Sequence, residues 1–372
     1  MKKLIFKNLT KDITSFFIVT TLSMTMIVWV IQAVNLLDFI TEDGHSFKIY
    51  FMYALLSLPK IFSRILPFMF FLSLFYIIIK YEEKNELIIF WLNGVNKIYF
   101  LKKILNYSLL FLITQLLFTS YFVPKTQDLA RSYIRSSTME FFPNLIKEKI
   151  FIDTIKNLTI YIERKKNDGE LINIFLEDNI SVDEKKTIYA KSGRLITIQN
   201  EQYLILYSGK IIKHEKKQKV FHFDETQINL SNYSSKTTTF PKIQELKTTM
   251  LLTCLKILSN NQSKLLGDGI LNCNPNNSSA VVEETFRRLY LPLYLPVLAL
   301  IINFLILTSK DKFNYSRYKL VIFSLSSLVL VVSELSLRYS GVSLKENIIF
   351  IILPIFLFLI IFTLFKKKLK YI

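Results

Sequence analysis

Four stretches of this chain carry no Asp, Glu, Lys or Arg and are long enough to cross a bilayer. They run from Ile13 to Leu37, Ile104 to Val123, Leu289 to Ser309 and Asn347 to Phe365, with 25, 20, 21 and 19 residues. A helix rises about 1.5 Å per residue and a hydrocarbon core is about 30 Å thick, so each suffices for one crossing. Two further stretches are apolar but interrupted, Ile49 to Ile79 by Lys60 and Arg64, and Leu320 to Leu337 by Glu334. Counting them gives six spans; the alternative for this pair is interfacial or re-entrant helices. The first span is too long for the apolar region of a signal peptide, and no small-residue cleavage site follows near Asp38, so it is expected to be retained.

Charge sits between the spans. The chain has 47 Lys and Arg against 29 Asp and Glu, a net charge of +18. In a soluble protein that surplus would point to nucleic acid. Here segments 1–12, 80–103, 310–319 and 366–372 together hold 17 basic and 5 acidic residues, while the short loops 38–48 and 338–346 hold 3 basic residues. The asymmetry follows the positive-inside rule with both termini in the cytoplasm. Most of the surplus is therefore an orientation signal, and no nucleic-acid partner is expected.

The long stretch from about 124 to 279 then lies outside the cytoplasm and separates helices 1–3 (residues 1–123) from helices 4–6 (residues 280–372). Apolar and polar residues alternate at period two in Leu158 to Glu163, Ile172 to Glu177, Thr187 to Ala190, Leu195 to Gln199, Tyr203 to Tyr207, Ile211 to His214, Val220 to Phe223 and Gln227 to Leu230. The pairs Asp168-Gly169, Ser192-Gly193, Asn200-Glu201 and Ser208-Gly209 are expected as turns between them. Eight or more short strands predict a sandwich, a jelly roll or an open barrel. Ile243 to Leu258 reads as an amphipathic helix, and a polar linker from Ser259 to Ser279 leads back to the membrane.

Catalytic signals are absent: no GxxxxGK[ST], no HExxH and no GxSxG occur. His45, His214 and His222 are scattered, and the latter two fit a solvated sheet face better than a metal site. Cys254 and Cys273 fall where a disulfide can persist, but two cysteines do not establish a pair. Lys60 and Arg64 stand one helical turn apart between Pro59 and Pro67. Two readings stand side by side: a basic lining for an anionic head group, or snorkelling to the interface and pairing with Glu334. Glu283, Glu284, Arg287 and Arg288 form a charged cuff before Pro292 and Pro296, able to pair internally, with lipid phosphate as the alternative partner of the arginines.

One further element is out of the ordinary. In segment 82–95, Glu82 to Glu86 precedes the apolar run Leu87 to Leu92, which contains Phe90 and Trp91 and ends at Asn93-Gly94. It is too short to span. A short helix with Gly94 as its C-cap is expected, resting on lipid or docking into a cytoplasmic ATPase.

The order of parts resembles the LptF/LptG (YjgP/YjgQ) family, the permease subunits of the lipopolysaccharide export ABC transporter. The segment Val28 to Asp38 resembles the end of that family's first helix, on the LptF side in particular. Leu58-Pro59 with Ile65-Leu66-Pro67 resembles its second helix, and Glu86-Leu87 followed by Gly94 its coupling helix. Lys191 to Leu195 resembles a strand pair of its periplasmic jelly roll, and Glu284 to Leu300 the opening of its fourth helix. Basic residues that the family places at the outer end of the first helix are replaced here by Gln32 and Asn35.

The resemblance implies a six-helix inner-membrane protein with a periplasmic jelly-roll-like β domain between helices 3 and 4. It implies an ABC ATPase dimer, a second permease subunit and jelly-roll bridge proteins as partners. It implies no cofactor of its own, ATP being used by the ATPase, and lipopolysaccharide entering between the first and fifth helices of opposing subunits. On it, Glu86, Leu87, Phe90, Trp91 and Gly94 are candidates for ATPase coupling. Lys60, Arg64, Arg287, Arg288 and Gln32 are candidates for lipid contact. Two rivals are a membrane-anchored envelope scaffold without transport, and a membrane-embedded lipid enzyme, for which Glu334 lacks an acid/base companion.

Overall fold

The computed structural model describes residues 2–37, 46–136, 146–155, 157–166, 169–181, 184–198, 201–214, 218–230, 242–259, 273, 277–341 and 344–370. Among them, six helical segments are long and apolar enough to cross a membrane. The first is α1 (Lys2–Asn35); the second joins α2 (Phe47–Leu56) to α3 (Leu58–Glu83); α4 (Glu86–Leu92) is short. The third runs through α5 (Lys97–Leu117), a π turn (Phe118–Phe122) and α6 (Val123–Ser136). After six strands come α7 (Thr248–Ser259), then α8 (Ser278–Leu289) and α9 (Tyr294–Ile302) in the fourth span, α10 (Tyr315–Tyr339) as the fifth and α11 (Leu344–Lys370) holding the sixth. The chain is a multi-pass membrane protein with an inserted β domain. Asp38 and His45 lie outside the described residues, as do most of the linker and Asp168, Gln199 and Asn200.

Two compact units emerge: Met1–Val30, Ser57–Asp128 and Lys242–Ile372 in one, Ile31–Leu56 and Leu129–Pro241 in the other. In the first, the fourth span is the central helix, buried from Tyr294 to Ile302 and touching the second, third, fifth and sixth spans. The first span contributes one stripe, Phe6, Leu9, Ile13, Phe17, Thr21 and Thr25, at steps of three and four, as a helix lying against a bundle must. Pro59 sits in the first turn of α3, where its missing N–H costs nothing, and the break in the second span falls at Ser57. The third helix continues past Val123, through the π turn, to Ser136.

In the second unit the strands are β1 (Phe151–Ile155), β2 (Leu158–Lys165), β3 (Glu170–Ser181), β4 (Glu184–Ile198), β5 (Glu201–His214) and β6 (Gln218–Asn229). They form one antiparallel meander in chain order. Fewer, longer strands replace the eight expected, because Ser192-Gly193 and Ser208-Gly209 lie inside β4 and β5 rather than in turns. These glycines serve close packing. A Cβ on Gly193 would stand 2.7 Å from Ile174 Cδ1 and 2.7 Å from the Ile205 carbonyl oxygen, and one on Gly209 would collide with the Tyr189 carbonyl and the Phe223 ring. Gly169, at φ +82, does stand in the β2–β3 connection as expected. β1 was not legible, since its alternation lasts barely one period before the register shifts between Ile152 and Ile155.

The pleat sorts residues by face. One cross-strand row, Ile152, Ile160, Leu176, Ile188 and Ile211, joins the apolar core of this unit. The adjacent row, Phe151, Tyr161, Phe175 and Tyr189, points the other way.

The expected helix from Ile243 starts late. Ile243–Glu245 is a single 3-10 turn, closed by the Glu245 carboxylate accepting from the Lys242 N–H at 2.9 Å, and α7 begins at Thr248. Cys254 and Cys273, 19 positions apart in sequence, are bridged, with Cα atoms 5.8 Å apart, inside a small core with Leu246, Leu251 and Val281. A loop of that length constrains the unfolded chain by about 3 kcal/mol. Replacing both cysteines by serine is therefore expected to lower the thermal unfolding midpoint under non-reducing conditions, and an unchanged midpoint would contradict the role given to the bridge.

Candidate functional site

Three prolines explain why polar side chains gather among the spans. A proline inside a helix cannot donate to the carbonyl four residues back, and hydrocarbon offers no water to replace that bond. Pro67 frees the Ser63 carbonyl, and the Gln115 side-chain amide donates to it at 2.7 Å. Pro292 frees the Arg288 carbonyl, and Thr119 Oγ1 donates to it at 2.9 Å. Pro124 frees the Ser120 carbonyl, and Thr248 Oγ1 donates to it at 2.5 Å. Each repair comes from a different element, so the second, third and fourth spans and α7 are tied together at one level.

Arg288 completes the knot. Its side chain is 1% exposed, the most enclosed charge among the described residues. Nε donates to Glu284 Oε1 at 2.9 Å, Nη1 to the Leu246 carbonyl at 2.8 Å and to Thr248 Oγ1 at 3.0 Å, and Nη2 to the Gln244 carbonyl at 3.0 Å. The late start of α7 follows: the carbonyls of Gln244 and Leu246 face the guanidinium instead of a helix. Arg287 pairs with Glu283 at 2.6 Å and Glu284 at 3.1 Å and keeps a quarter of its side chain exposed. The internal pairing expected of the cuff is present for all four charges.

Beside the knot lies a polar cavity of about 210 Å³. Lys60, Arg64, Gln115, Glu284, Arg287 and Glu334 contribute to its lining. Lys60 is half-buried and Arg64 exposed, and neither side chain makes a hydrogen bond or ion pair among the described residues. Glu334 shares the cavity without pairing with them. Gln115 Oε1 is buried and without a hydrogen-bond partner among the described residues. Among the described residues the cavity thus holds two uncommitted cations, Lys60 and Arg64, and two uncommitted acceptors, the Glu334 carboxylate and the Gln115 amide oxygen. A groove of about 710 Å³ adjoins it, sharing Arg287 and Glu334, with Phe68, Leu330, Val331 and Leu335 as apolar wall and Arg338 as a further cation. Gln32 is half-exposed on α1 and does not line either space.

The residues proposed for coupling divide into two faces. Leu87 and Phe90 are buried in the main core, where Phe90 packs edge-on against Phe6 at 5.2 Å and Phe100 at 5.3 Å. Trp91 is half-buried beside Phe100 at 5.8 Å. Gly94, at φ +68, ends the helix as expected: its N–H reaches the Trp91 carbonyl at 2.9 Å and the Val95 N–H the Phe90 carbonyl at 3.0 Å, the two bonds of a Schellman cap. Lys2 Nζ donates to the Gly94 carbonyl at 2.9 Å. The opposite face presents Ile88, Ile89 and Leu92, the last 81% exposed, with Glu86 half-exposed at the start. Sequence reasoning named the buried half of this helix and missed the exposed one.

These roles separate in stability. Gln115→Leu leaves the Ser63 carbonyl unpaired and is expected to cost about 1–3 kcal/mol. Glu284→Ala strands Arg288 and is expected to cost about 3–5 kcal/mol. Lys60→Met, which removes an unpaired charge, is expected to leave the unfolding midpoint in detergent unchanged or raised; a fall comparable to that of Glu284→Ala would show Lys60 to be part of the scaffold.

Comparison with known proteins gives two findings. The protein named Uncharacterized protein RP871, from Rickettsia prowazekii (strain Madrid E), is 27% identical over 233 residues, covering 62% of this chain and 64% of that one, so the likeness spans a little under two thirds of the relative. The family described as Lipopolysaccharide export system permease LptF/LptG matches residues 7–367, from the first span through the β insertion to the last. With that match over nearly its whole length, the chain belongs to the LptF/LptG family.

Proposed function

We propose that this chain is a permease subunit of an ATP-driven exporter that extracts lipopolysaccharide from the bacterial inner membrane and passes it to a periplasmic bridge. The observation that carries the reading is the joined pair of spaces: a polar cavity with uncommitted Lys60 and Arg64 opening, through Arg287 and Glu334, onto an apolar groove. Phosphates would meet Lys60 and Arg64, with Arg287 at the junction, and acyl chains the wall of Phe68, Leu330 and Val331. Arg288, whose donors are spent on Glu284, Thr248 and two carbonyls, acts as a brace for that site rather than as a ligand. Gln32 is the polar group that the first span offers to a lipid.

Each acyl CH₂ withdrawn from the bilayer costs about 0.8 kcal/mol unless it is sheltered. Extraction therefore needs work, and the sequence carries no phosphate-binding loop to supply it. We assign the work to an ATPase dimer docking on Glu86, Ile88, Ile89 and Leu92, with Leu87, Phe90 and Trp91 passing its movement into the core and Gly94 fixing the helix end. This puts α4 and both termini in the cytoplasm and the β domain in the periplasm, beside a second permease subunit and jelly-roll bridge proteins.

Leu92→Arg and Glu86→Lys are expected to abolish co-purification of the ATPase while leaving the unfolding midpoint of the chain unchanged; retention of the ATPase in both would sink the docking assignment. A photo-crosslinker at Arg64 is expected to capture lipopolysaccharide in an ATP-dependent manner. Capture that ignores ATP, or none at all, counts against export.

A further inference from the structure

The sheet carries a second feature that the membrane site does not use. One cross-strand row runs through all six strands: Phe151 pairs with Tyr161, Tyr161 with Phe175, Phe175 with Tyr189, Tyr189 with Lys210, and Lys210 with His222. Four successive aromatics followed by a cation occupy the face turned away from the apolar core. The rings pack side by side, Phe151 to Tyr161 at 4.7 Å and Phe175 to Tyr189 at 5.2 Å, and Lys210 Nζ stands 5.2 Å from the Tyr189 ring centre. Phe151 is 63% and Tyr189 42% exposed. Cross-strand aromatic pairing stabilises a sheet, but pairing alone does not call for a row that stays open to solvent.

A groove of about 790 Å³ runs along this row, with Tyr161, Phe175 and Tyr189 in its lining. Polar side chains interleave with the rings: Lys191, Lys210, His222 and Asp224 line the same groove. Asn173, held at φ +50, joins them and donates its amide to Glu163. Flat π faces attract the C–H edges of a pyranose, whose partial positive charge complements the ring quadrupole. The alternating hydroxyls of a sugar match the interleaved amide, carboxylate and imidazole. Strands stand about 4.8 Å apart, close to the pitch of successive sugar rings along an oligosaccharide. Two lysines against one aspartate leave the groove cationic, which favours a saccharide bearing phosphate or carboxylate. A protein partner would instead match a drier patch with charge depleted at its centre.

We infer that the outer face of the β domain binds a phosphorylated oligosaccharide along the row from Tyr161 to His222. The inference rests on the export reading above, because it assigns the saccharide end of the same glycolipid whose phosphates and acyl chains were given to the membrane site. The sugar portion then has a seat of its own, on the face opposite the apolar core, as the lipid leaves the bilayer.

The test is a binding titration on the full chain in detergent, using the oligosaccharide obtained from lipopolysaccharide by removing every acyl chain, before and after phosphatase treatment. Saturable binding is expected, weakened at least tenfold by Tyr189→Ala, by Lys210→Glu and by dephosphorylation. Should Tyr189→Ala fail to fold, the exposed Lys210→Glu decides alone. Absence of saturable binding, or equal binding by wild type and Lys210→Glu, overturns the inference. So does capture of a purified jelly-roll bridge protein on this face, lost in Lys210→Glu, without saccharide binding. Saccharide binding without ATP-dependent capture at Arg64 defeats the export reading and spares this one; capture at Arg64 without saccharide binding does the reverse.

Discussion

A backbone carbonyl freed inside hydrocarbon must find a donor within the protein, and the membrane half of this molecule is organised by three such carbonyls. Pro67, Pro124 and Pro292 release Ser63, Ser120 and Arg288, and Gln115, Thr248 and Thr119 take them up. Each unpaired group would cost several kcal/mol in lipid. The repairs therefore fix which helices meet and at what level. They also draw amide and hydroxyl groups into a region that would otherwise be apolar, and that polarity makes a charged cavity sustainable there. The π turn at Phe118–Phe122 belongs to the same arrangement, since it lies across Thr119 and Ser120, the two positions through which the third span binds the fourth span and α7.

Charge around this knot is of two kinds, and the difference decides what each residue can do. Arg288 and Glu284 are buried and largely committed to each other and to neighbouring acceptors and donors, so their first role is structural. Lys60 and Arg64 line the same cavity with no hydrogen-bond or ion-pair partner among the described residues. A charge kept near hydrocarbon without a partner faces water, a ligand or both. The four basic residues look equivalent in sequence. Their hydrogen bonds separate them into a brace, a junction at Arg287 and two open cations.

The spans were legible because hydrocarbon thickness sets a length and charge segregation sets a boundary; Ile13 to Leu37 admits hardly any other fold. The strands were legible in phase but not in length. Ser208-Gly209 looks like a turn from composition, and only the crossing of Phe223 over Gly209 shows why glycine is needed mid-strand. Gln115, Thr119 and Thr248 went unnoticed, though a signal existed: each proline marks a carbonyl four residues earlier that needs a donor. What the sequence could not say was which donor, because the partners lie from 52 to 169 residues away. Pairing of Cys254 with Cys273 was undecidable for a related reason, since it depends on the small core around Leu251 and Val281 that brings them together.

The short helix α4 is mounted on the apolar core that the spans share. Leu87 and Phe90 belong to the same apolar core as Leu9 of the first span, Phe70 of the second, Phe100 of the third and Leu298 of the fourth. Around it, Glu82 accepts from the Lys310 N–H at 2.9 Å, Glu83 pairs with Lys319 at 3.0 Å, and Lys2 holds Gly94. A helix of seven residues has little stability of its own, so its geometry is set by this mount. Because a close-packed core is far less compressible than a loop, a push on Ile88, Ile89 and Leu92 cannot be absorbed locally. It must shift the packing of the spans that share the core, and the fourth of these carries Arg287 and Arg288 at its other end.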